Sequence, residues 1–217
     1  MAVAKQMHDA QRVYHRRGDI DLFPRFLASW YHQPFLALDS AGKMVGYLVA
    51  DADGGNVVEL LGQDPSTTVN MARSWVQSRE AGSARFNIPP THFELLQQLS
   101  AIGEGVSTGT SGNWQVYDWA ATVAALLQVR ATGGALADGE VIIGIEGYGN
   151  LHIRVAGSRI DCAKVHESAA VTWDASTAMR LFFGPLPPAA VTTVPAAAAP
   201  LLAWCPLPLG WPQQDGV

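Results

Sequence analysis

Three short apolar runs, separated by two turn-forming segments, constrain the fold of this chain more than any other feature. The runs occupy residues 35–38, 44–50 and 57–61. A polar segment, 39–43, follows the first run, and 51–56, which holds a Gly-Gly pair, follows the second. Short apolar runs bounded by Gly, Asp and Ser are typical of strands joined by tight turns. The pattern predicts a three-stranded antiparallel meander.

Helical patterns flank this meander on both sides, because apolar side chains recur there at helical spacing. The segments predicted to be helical are 4–17, 21–30, 67–80 and 92–102. For the last of these, Thr91 is predicted to be the N-cap, with Glu94 three residues later as in a capping box. Short strands are predicted at 84–88, 105–108 and 113–118.

The second half of the chain mixes strands and helices in a different order. A helix is predicted at 119–130, before a loose segment that contains Gly133 and Gly134. Strands are predicted at 141–146, 151–155 and 159–165. Asp174 is predicted to cap a helix over 175–183, since its carboxylate can accept the helix's unpaired N–H groups.

Length and composition favour two small folded domains. The mixture of strands and helices predicted above indicates the α+β class. The 217-residue chain is 48% hydrophobic and 15% charged, which is enough apolar material for cores and too little charge for disorder. We predict domains at residues 1–118 and 119–217. The formal net charge is −5 and no concentrated basic stretch occurs, so a nucleic-acid partner is not expected.

No segment has the pattern of a signal peptide or of a membrane span. The longest apolar stretch, 189–206, is interrupted by prolines, which break a spanning helix. Cys162 and Cys205 are the only cysteines, and neither lies at a metal-binding spacing. We therefore expect a cytoplasmic protein with two buried, reduced thiols, no metal and no membrane partner.

The order of these elements, together with two stretches of sequence, resembles the GNAT superfamily of N-acetyltransferases. The first stretch, FLALDSAGKMVGYLVADADGGNVVELL (residues 35–61), resembles the hairpin and central strand where acetyl-CoA binds. The second, residues 83–119, resembles the later strand, helix and closing hairpin. Three further stretches resemble a sterol-carrier-like domain: IIGIEGYGNLHIRVAG, STAMRLFFGPLPP and LLAWCPLPLGWPQQDGV.

Taken together, the chain resembles the C-terminal part of an enhanced-intracellular-survival-type acetyltransferase. Such proteins have an active N-terminal acetyltransferase domain, a degenerate second one and a sterol-carrier-like domain. The resemblance implies an incomplete GNAT-like mixed sheet with flanking helices, followed by a smaller sterol-carrier-like α+β domain. The first strand of the acetyltransferase fold, and the whole active domain, have no counterpart in this sequence.

The segment where the family's pyrophosphate loop is expected departs from the family's pattern. An active domain has Arg or Gln followed by a glycine-rich loop, whose N–H groups and helix N-terminus hold the pyrophosphate. Residues 62–68 read Gly-Gln-Asp-Pro-Ser-Thr-Thr, with one glycine. Asp64 places a negative charge where the anion would lie, and Pro65 has no N–H to donate. We expect no cofactor here.

The C-terminal tail holds the candidate site residues that the resemblance implies. In the family, the terminal carboxylate reaches the active site of the first domain and acts as a base for the acetylated amine. The matching catalytic position is Val217, and Asp215 and Trp211 are the candidate substrate-binding residues. A free carboxylate can accept a proton and attract a cationic amine. The alternative is that this carboxylate is a solvated terminus without a catalytic role.

Other candidate chemistry in the sequence has a simpler structural explanation. The glycines between 103 and 112 lack a following helix and a nearby Lys, so they predict a hairpin turn rather than a phosphate site. Histidines and serines are scattered without a metal-binding or nucleophile spacing. The aromatic residues of the second half are expected to form core or interface, with a ligand tunnel as the alternative; they are Trp173, Phe182, Phe183, Trp204 and Trp211.

Three hypotheses about function follow. The first is a non-catalytic acetyltransferase-like module that associates with a second copy of itself or with an acetyltransferase domain. The second is an N-acetyltransferase for amines of aminoglycoside or peptide type, for which acetyl-CoA would be the cofactor. The third is a carrier of small apolar ligands, which requires a cavity between the strands at 141–165 and the helix that holds Phe182.

Overall fold

A computed structural model describes residues 1–11, 14, 16–28, 31–79, 82–109 and 114–210. The chain has an α+β fold with two mixed four-stranded sheets and flanking helices. It divides into two compact units. The first unit contains Met1–Val106 together with Gly210, and the second contains Ser107–Leu209. The two units therefore meet in the sequence at Val106 and Ser107, whereas the domains predicted from the sequence meet at residues 118 and 119.

The first unit contains four helices and four strands within the described residues. Its elements are α1 (Ala2–Asp9), α2 (Phe23–Leu27), β1 (His32–Leu38), β2 (Met44–Asp51), β3 (Asn56–Gly62), α3 (Pro65–Gln77), β4 (Arg85–Phe86) and α4 (Phe93–Ser100). The sheet order is β1-β2-β3-β4, with the first three strands antiparallel and β4 parallel to β3. The predicted meander is therefore present.

Helices cover both faces of this sheet. On one face Tyr47, Val49, Val58 and Leu61 pack with residues of α1 and α2, including Phe23. The opposite face packs on α3. Leu48, Ala50, Val57 and Leu60 of the sheet are buried there against Met71 and Ala72 of the helix.

An irregularity in β3 determines which face Glu59 joins. Ala50 pairs with Val57 and Val49 pairs with Glu59, so Val58 is an extra residue without a partner on β2. Simple alternation from Val57 would place Glu59 on the α3 face, but the bulge moves it to the face covered by α1 and α2.

The second unit has a sheet of order β7-β6-β5-β8. Its elements are α5 (Trp119–Ala131), β5 (Gly139–Ile145), β6 (Gly149–Ala156), β7 (Arg159–Val165), β8 (Thr172–Trp173), α6 (Ala175–Phe183), α7 (Pro188–Val191), a 3-10 turn (Ala196–Ala198) and α8 (Pro200–Trp204). The inward side chains of β5 and β6 are fully buried aliphatics, and they are Val141, Ile143, Ile145, Leu151, Ile153 and Val155.

Three local predictions were wrong. The helix predicted over 4–17 ends at Asp9. No strand forms in the described parts of 105–108 and 113–118. Residues 101–109 are exposed throughout, so the first of these segments has no buried face for a strand to pack. The N-cap of α4 is His92 rather than Thr91. Thr91 is instead buried, and Glu94 accepts a hydrogen bond from Gln98 along the helix at 3.1 Å, so the capping box does not form.

Across the described ranges, no helix combines the length and apolar character that crossing a bilayer requires.

Candidate functional site

The turn between β3 and α3 is the position at which the resemblance places a cofactor. β3 ends at Gly62, and α3 begins at Pro65 with Asp64 as its N-cap residue. Asp64 has the extended backbone conformation that is typical of an N-cap. The first turn of α3 is therefore formed, and its backbone N–H groups need hydrogen-bond acceptors from outside the helix.

The carboxylate of Asp64 accepts one of them. Its Oδ1 accepts the Thr67 backbone N–H at 2.7 Å, and its Oδ2 accepts the Thr67 hydroxyl at 2.9 Å. The hydrogen bonds from Thr67 lower the pKa of Asp64 below its ordinary value, so the side chain is ionised at neutral pH. The ionised side chain lies at the position where the resemblance places the pyrophosphate.

Three further N–H groups of the turn, those of Gly62, Gln63 and Thr68, also have partners within the chain. The Gly62 N–H donates to the Thr68 hydroxyl at 3.1 Å, and the Gln63 N–H donates to the Val45 carbonyl at 3.0 Å. The Thr68 N–H and hydroxyl both donate to the Asp64 carbonyl, at 3.0 and 2.8 Å. Pro65 has no N–H. Four backbone donors of this turn, those of Gly62, Gln63, Thr67 and Thr68, are therefore engaged.

Gly62, the single glycine of this turn, has a packing role. A Cβ atom at this position would lie 2.6 Å from the Thr68 hydroxyl, closer than real Cβ atoms approach a neighbour. Thr68 is itself buried. Gly62 thus permits the close approach of β3 to the first turn of α3, which explains its presence without a bound phosphate.

A second candidate is a buried ion pair on the opposite face of the same sheet. Arg17 contacts Glu59 through both ends of its guanidinium, with Nη1 at 3.1 Å from Oε1 and Nη2 at 2.7 Å from Oε2. The Tyr47 hydroxyl donates to Glu59 Oε1 at 2.6 Å. The exposed fractions are 1% for Arg17, 7% for Glu59 and 0% for Tyr47. Burial and the neighbouring Glu59 carboxylate raise the pKa of Tyr47, which keeps its hydroxyl protonated.

The chemistry of this cluster is structural. Both carboxylate oxygens of Glu59 contact positively charged or hydroxyl partners, so the group holds its charge in place and has no oxygen directed to solvent. Arg17 also lies 6.0 Å from the centre of the Phe23 ring. The sequence analysis missed the cluster, although a single Glu within the apolar run at 57–61 was a signal for a buried partner.

The site residues predicted for the tail are Trp211, Asp215 and Val217, and all three lie outside the described residues. Their proposed roles stay predictions.

Three of the five aromatic residues named for the second half lie in the core of the second unit, as the first of the two interpretations expected; Phe183 is half-buried, and Trp211 lies outside the described residues. Trp173, Phe182 and Trp204 are buried. Phe183 stacks on Trp119 with ring centres 5.9 Å apart, and the Trp204 indole donates to the Ala137 carbonyl at 2.8 Å. A shallow, open depression of about 670 Å³ lies over α1 of the first unit.

Metal-ligating and thiol groups form no further site in the described parts of the chain. No three His, Cys, Asp or Glu side chains there come together as metal ligands would. Cys162 is half-buried and Cys205 is buried, and both are free thiols. Burial raises the pKa of both thiols, that of Cys162 to about 12, so neither is activated as a nucleophile.

Comparison with known proteins adds no family assignment. Neither the scan against protein-family models nor the search of curated proteins gives a match for this chain. The resemblance to acetyltransferases therefore rests on the quoted stretches and on element order.

Proposed function

We propose that this protein is a non-catalytic, acetyltransferase-like accessory module that acts by association. The observation that carries the proposal is the β3–α3 turn, where the Asp64 carboxylate accepts the Thr67 N–H, a donor that a pyrophosphate in this turn would need. An anion entering this turn would meet the ionised Asp64 at short range and would find no unused donor among Gly62, Gln63, Thr67 and Thr68. Both effects oppose acetyl-CoA binding.

The alternative of an amine N-acetyltransferase requires a different binding mode for acetyl-CoA. The carrier alternative requires a cavity in the second unit, where Trp173, Phe182 and Trp204 are packed as core. Neither alternative has an observation of its own in its favour, so the accessory module is the function that the geometry supports best.

Titration calorimetry of the full chain with acetyl-CoA tests the proposal. We expect no saturable heat. Saturable binding at micromolar acetyl-CoA, together with release of coenzyme A in the presence of an amine, would contradict the proposal and support the enzyme.

A matched pair of variants tests whether the cap closes the turn. Asp174 caps α6 with the same Asp-x-x-Thr arrangement, remote in sequence from the turn. Asp64→Gly removes the charge from the turn, and Asp174→Gly removes an equivalent cap elsewhere. We expect any gain in affinity for acetyl-CoA or inorganic pyrophosphate to appear only in Asp64→Gly. An equal gain in both variants would show that general loosening of the chain, and not the cap, controls anion binding.

A further inference from the structure

The sheet edges within the described residues differ in how they are protected against further strand pairing. Exposed edge strands invite pairing with another chain, and proteins protect them by making them short or charged. β4 and β8 are edges of two residues each. β7 is an edge of seven residues, and it presents Arg159, Asp161 and Lys164 to solvent. Each of these three edges carries a recognised protective feature.

β1 is a seven-residue edge that carries no Asp, Glu, Lys or Arg. In the described part of the chain it pairs with β2 alone. Leu36 and Leu38, on the face covered elsewhere by α1 and α2, are 59% and 57% exposed. Among the described strands at sheet edges, β1 is therefore a long one that has exposed leucines and lacks the charged side chains that protect β7.

The outward backbone groups of β1 can be assigned. The Asp39 N–H donates to the Lys43 carbonyl at 2.9 Å, so the backbone of Asp39 is directed toward β2. Backbone groups alternate in direction along an antiparallel strand, and the irregularity in this pair lies on β2. The N–H and C=O groups of Leu36 and Leu38 are therefore directed outward, as is the carbonyl of Pro34, whose missing N–H falls on the open side.

We propose that β1 is an interface that pairs antiparallel with β1 of a second copy of this chain, with Leu36 opposite Leu36. The two Leu36 residues would then exchange both of their backbone bonds. Each Leu38 N–H would donate to the Pro34 carbonyl of the other copy. Pro34 removes one bond on each side and leaves the others intact.

The side chains of β1 favour this occupant over an unrelated strand, because the strand is complementary to itself in this register. Leu36 meets Leu36 and Leu38 meets Pro34 on one face, whereas Phe35 meets Ala37 on the other. Asp39, the charged residue that follows β1, lies opposite the neutral Gln33. Two copies therefore align apolar groups with apolar groups and oppose no like charges.

This inference deepens the proposed function, since it names the surface and the partner through which an accessory module would associate. Sedimentation velocity of the full chain over a concentration series tests it. We expect a reversible dimer for the wild type. A wild-type monomer at every concentration would overturn the inference, and the edge would then be available to a strand of another protein.

Leu36→Lys provides the first variant, because it places two like charges opposite each other at the twofold centre. We expect dimer affinity to fall at least about tenfold, because like charges facing each other across an interface cost more than the roughly 1.4 kcal/mol that a tenfold change represents. Ala163→Lys on β7 is the matched control, since it adds the same charge to an exposed position on the other long edge. Leu36→Lys is exposed, so its circular dichroism should match the wild type. Equal dimerisation of Leu36→Lys and wild type would overturn the pairing.

A charge-swap mixture tests the register. Leu36→Lys and Leu36→Glu should each dimerise more weakly than the wild type when alone, and an equimolar mixture should form a heterodimer more strongly than either variant dimerises. A mixture that associates no better than its components would contradict the placement of Leu36 opposite Leu36. The acetyl-CoA titration is independent of these measurements. A monomer that binds no acetyl-CoA leaves the non-catalytic interpretation in place, whereas a dimer that binds it removes that interpretation and keeps the interface.

Discussion

The two units build their cores from different chemistry. The core of the first unit contains Arg17, Glu59 and Tyr47 in contact, all buried beneath α1 and α2. In the second unit, no charged side chain among the described residues is buried, and aliphatic residues of β5 and β6 pack with aromatic residues of the helices. The stability of the first core therefore depends on a specific set of polar contacts, whereas that of the second depends on how fully apolar side chains fill its volume.

This difference predicts how each unit responds to substitution. A buried ion pair contributes little over a hydrophobic replacement of both partners, but removal of one partner leaves an uncompensated charge in the interior. An aliphatic core loses stability gradually, in proportion to the volume removed. In the first unit, replacing both partners of the ion pair should therefore cost less stability than replacing one. In the second unit, a double truncation should cost more than a single one.

The largest effect is expected for Glu59→Leu, which leaves the Arg17 guanidinium buried without its carboxylate. We expect the free energy of unfolding of the first unit to fall by about 3–5 kcal/mol. This loss is measured by urea unfolding monitored through hydrogen exchange at the amides of β2 and β3. The amides of β5 and β6 are the internal control. The double variant Arg17→Met/Glu59→Leu should recover much of the loss. A double variant less stable than Glu59→Leu would contradict the argument.

Tyr47→Phe should have the next largest effect, because it removes one hydroxyl and keeps the ring. The lost bond is to a charged acceptor, so we expect a cost of about 1.5–3 kcal/mol in the same unit. The measurement is the urea midpoint of the β2 and β3 amides. No change in that midpoint would show that Arg17 alone satisfies Glu59.

Ile143→Val tests the second core with a single methylene. Ile143 is fully buried on β5, and the substitution should cost about 0.5–1.5 kcal/mol. The same urea series detects the loss, now at the β5 and β6 amides and not at those of β2 and β3. A loss shared by both sets of amides would show that the two units unfold together.

The smallest effects are expected at the two Asp caps, which compare one arrangement in both units. Hydrogen bonds from Thr67 and Thr177 lower the pKa values of Asp64 and Asp174 below 3.8. A lowered folded-state pKa means that each cap stabilises above the unfolded value and loses this contribution as pH falls through the folded value. The difference in urea midpoint between wild type and Asp64→Ala, or Asp174→Ala, should be constant at neutral pH.

In acid that difference should vanish below the ordinary carboxyl range. A difference that persists in strong acid would mean that these side chains act through packing. Similar profiles for both variants would support the interpretation that Asp64 is an ordinary helix cap that happens to occupy the expected cofactor turn.

Local chemistry made much of the fold predictable. The meander follows from three apolar runs and two turns, and Asp174 was recognised as a cap because its signal lies within four residues of sequence. At the turn before α3, the sequence indicated the charge of Asp64 and the missing donor of Pro65, but not that Asp64 is the N-cap of the helix.

Features that depend on distant partners were not predictable. Arg17 and Glu59 are 42 residues apart, and their contact requires the bulge at Val58, which no local pattern indicates. Thr91 had an N-cap pattern, but it is buried and His92 takes its place. Tertiary packing overrides a local preference where the two compete.

The buried pair of Arg17 and Glu59 also has a thermal consequence. The cost of removing charged groups from water falls as temperature rises, whereas hydrophobic stabilisation per unit of buried area levels off. Heating therefore makes the charged core of the first unit less expensive to form relative to the aliphatic core of the second. The two halves of one chain should accordingly have stability curves of different shape, and warming should shift the balance of stability toward the half that contains the ions.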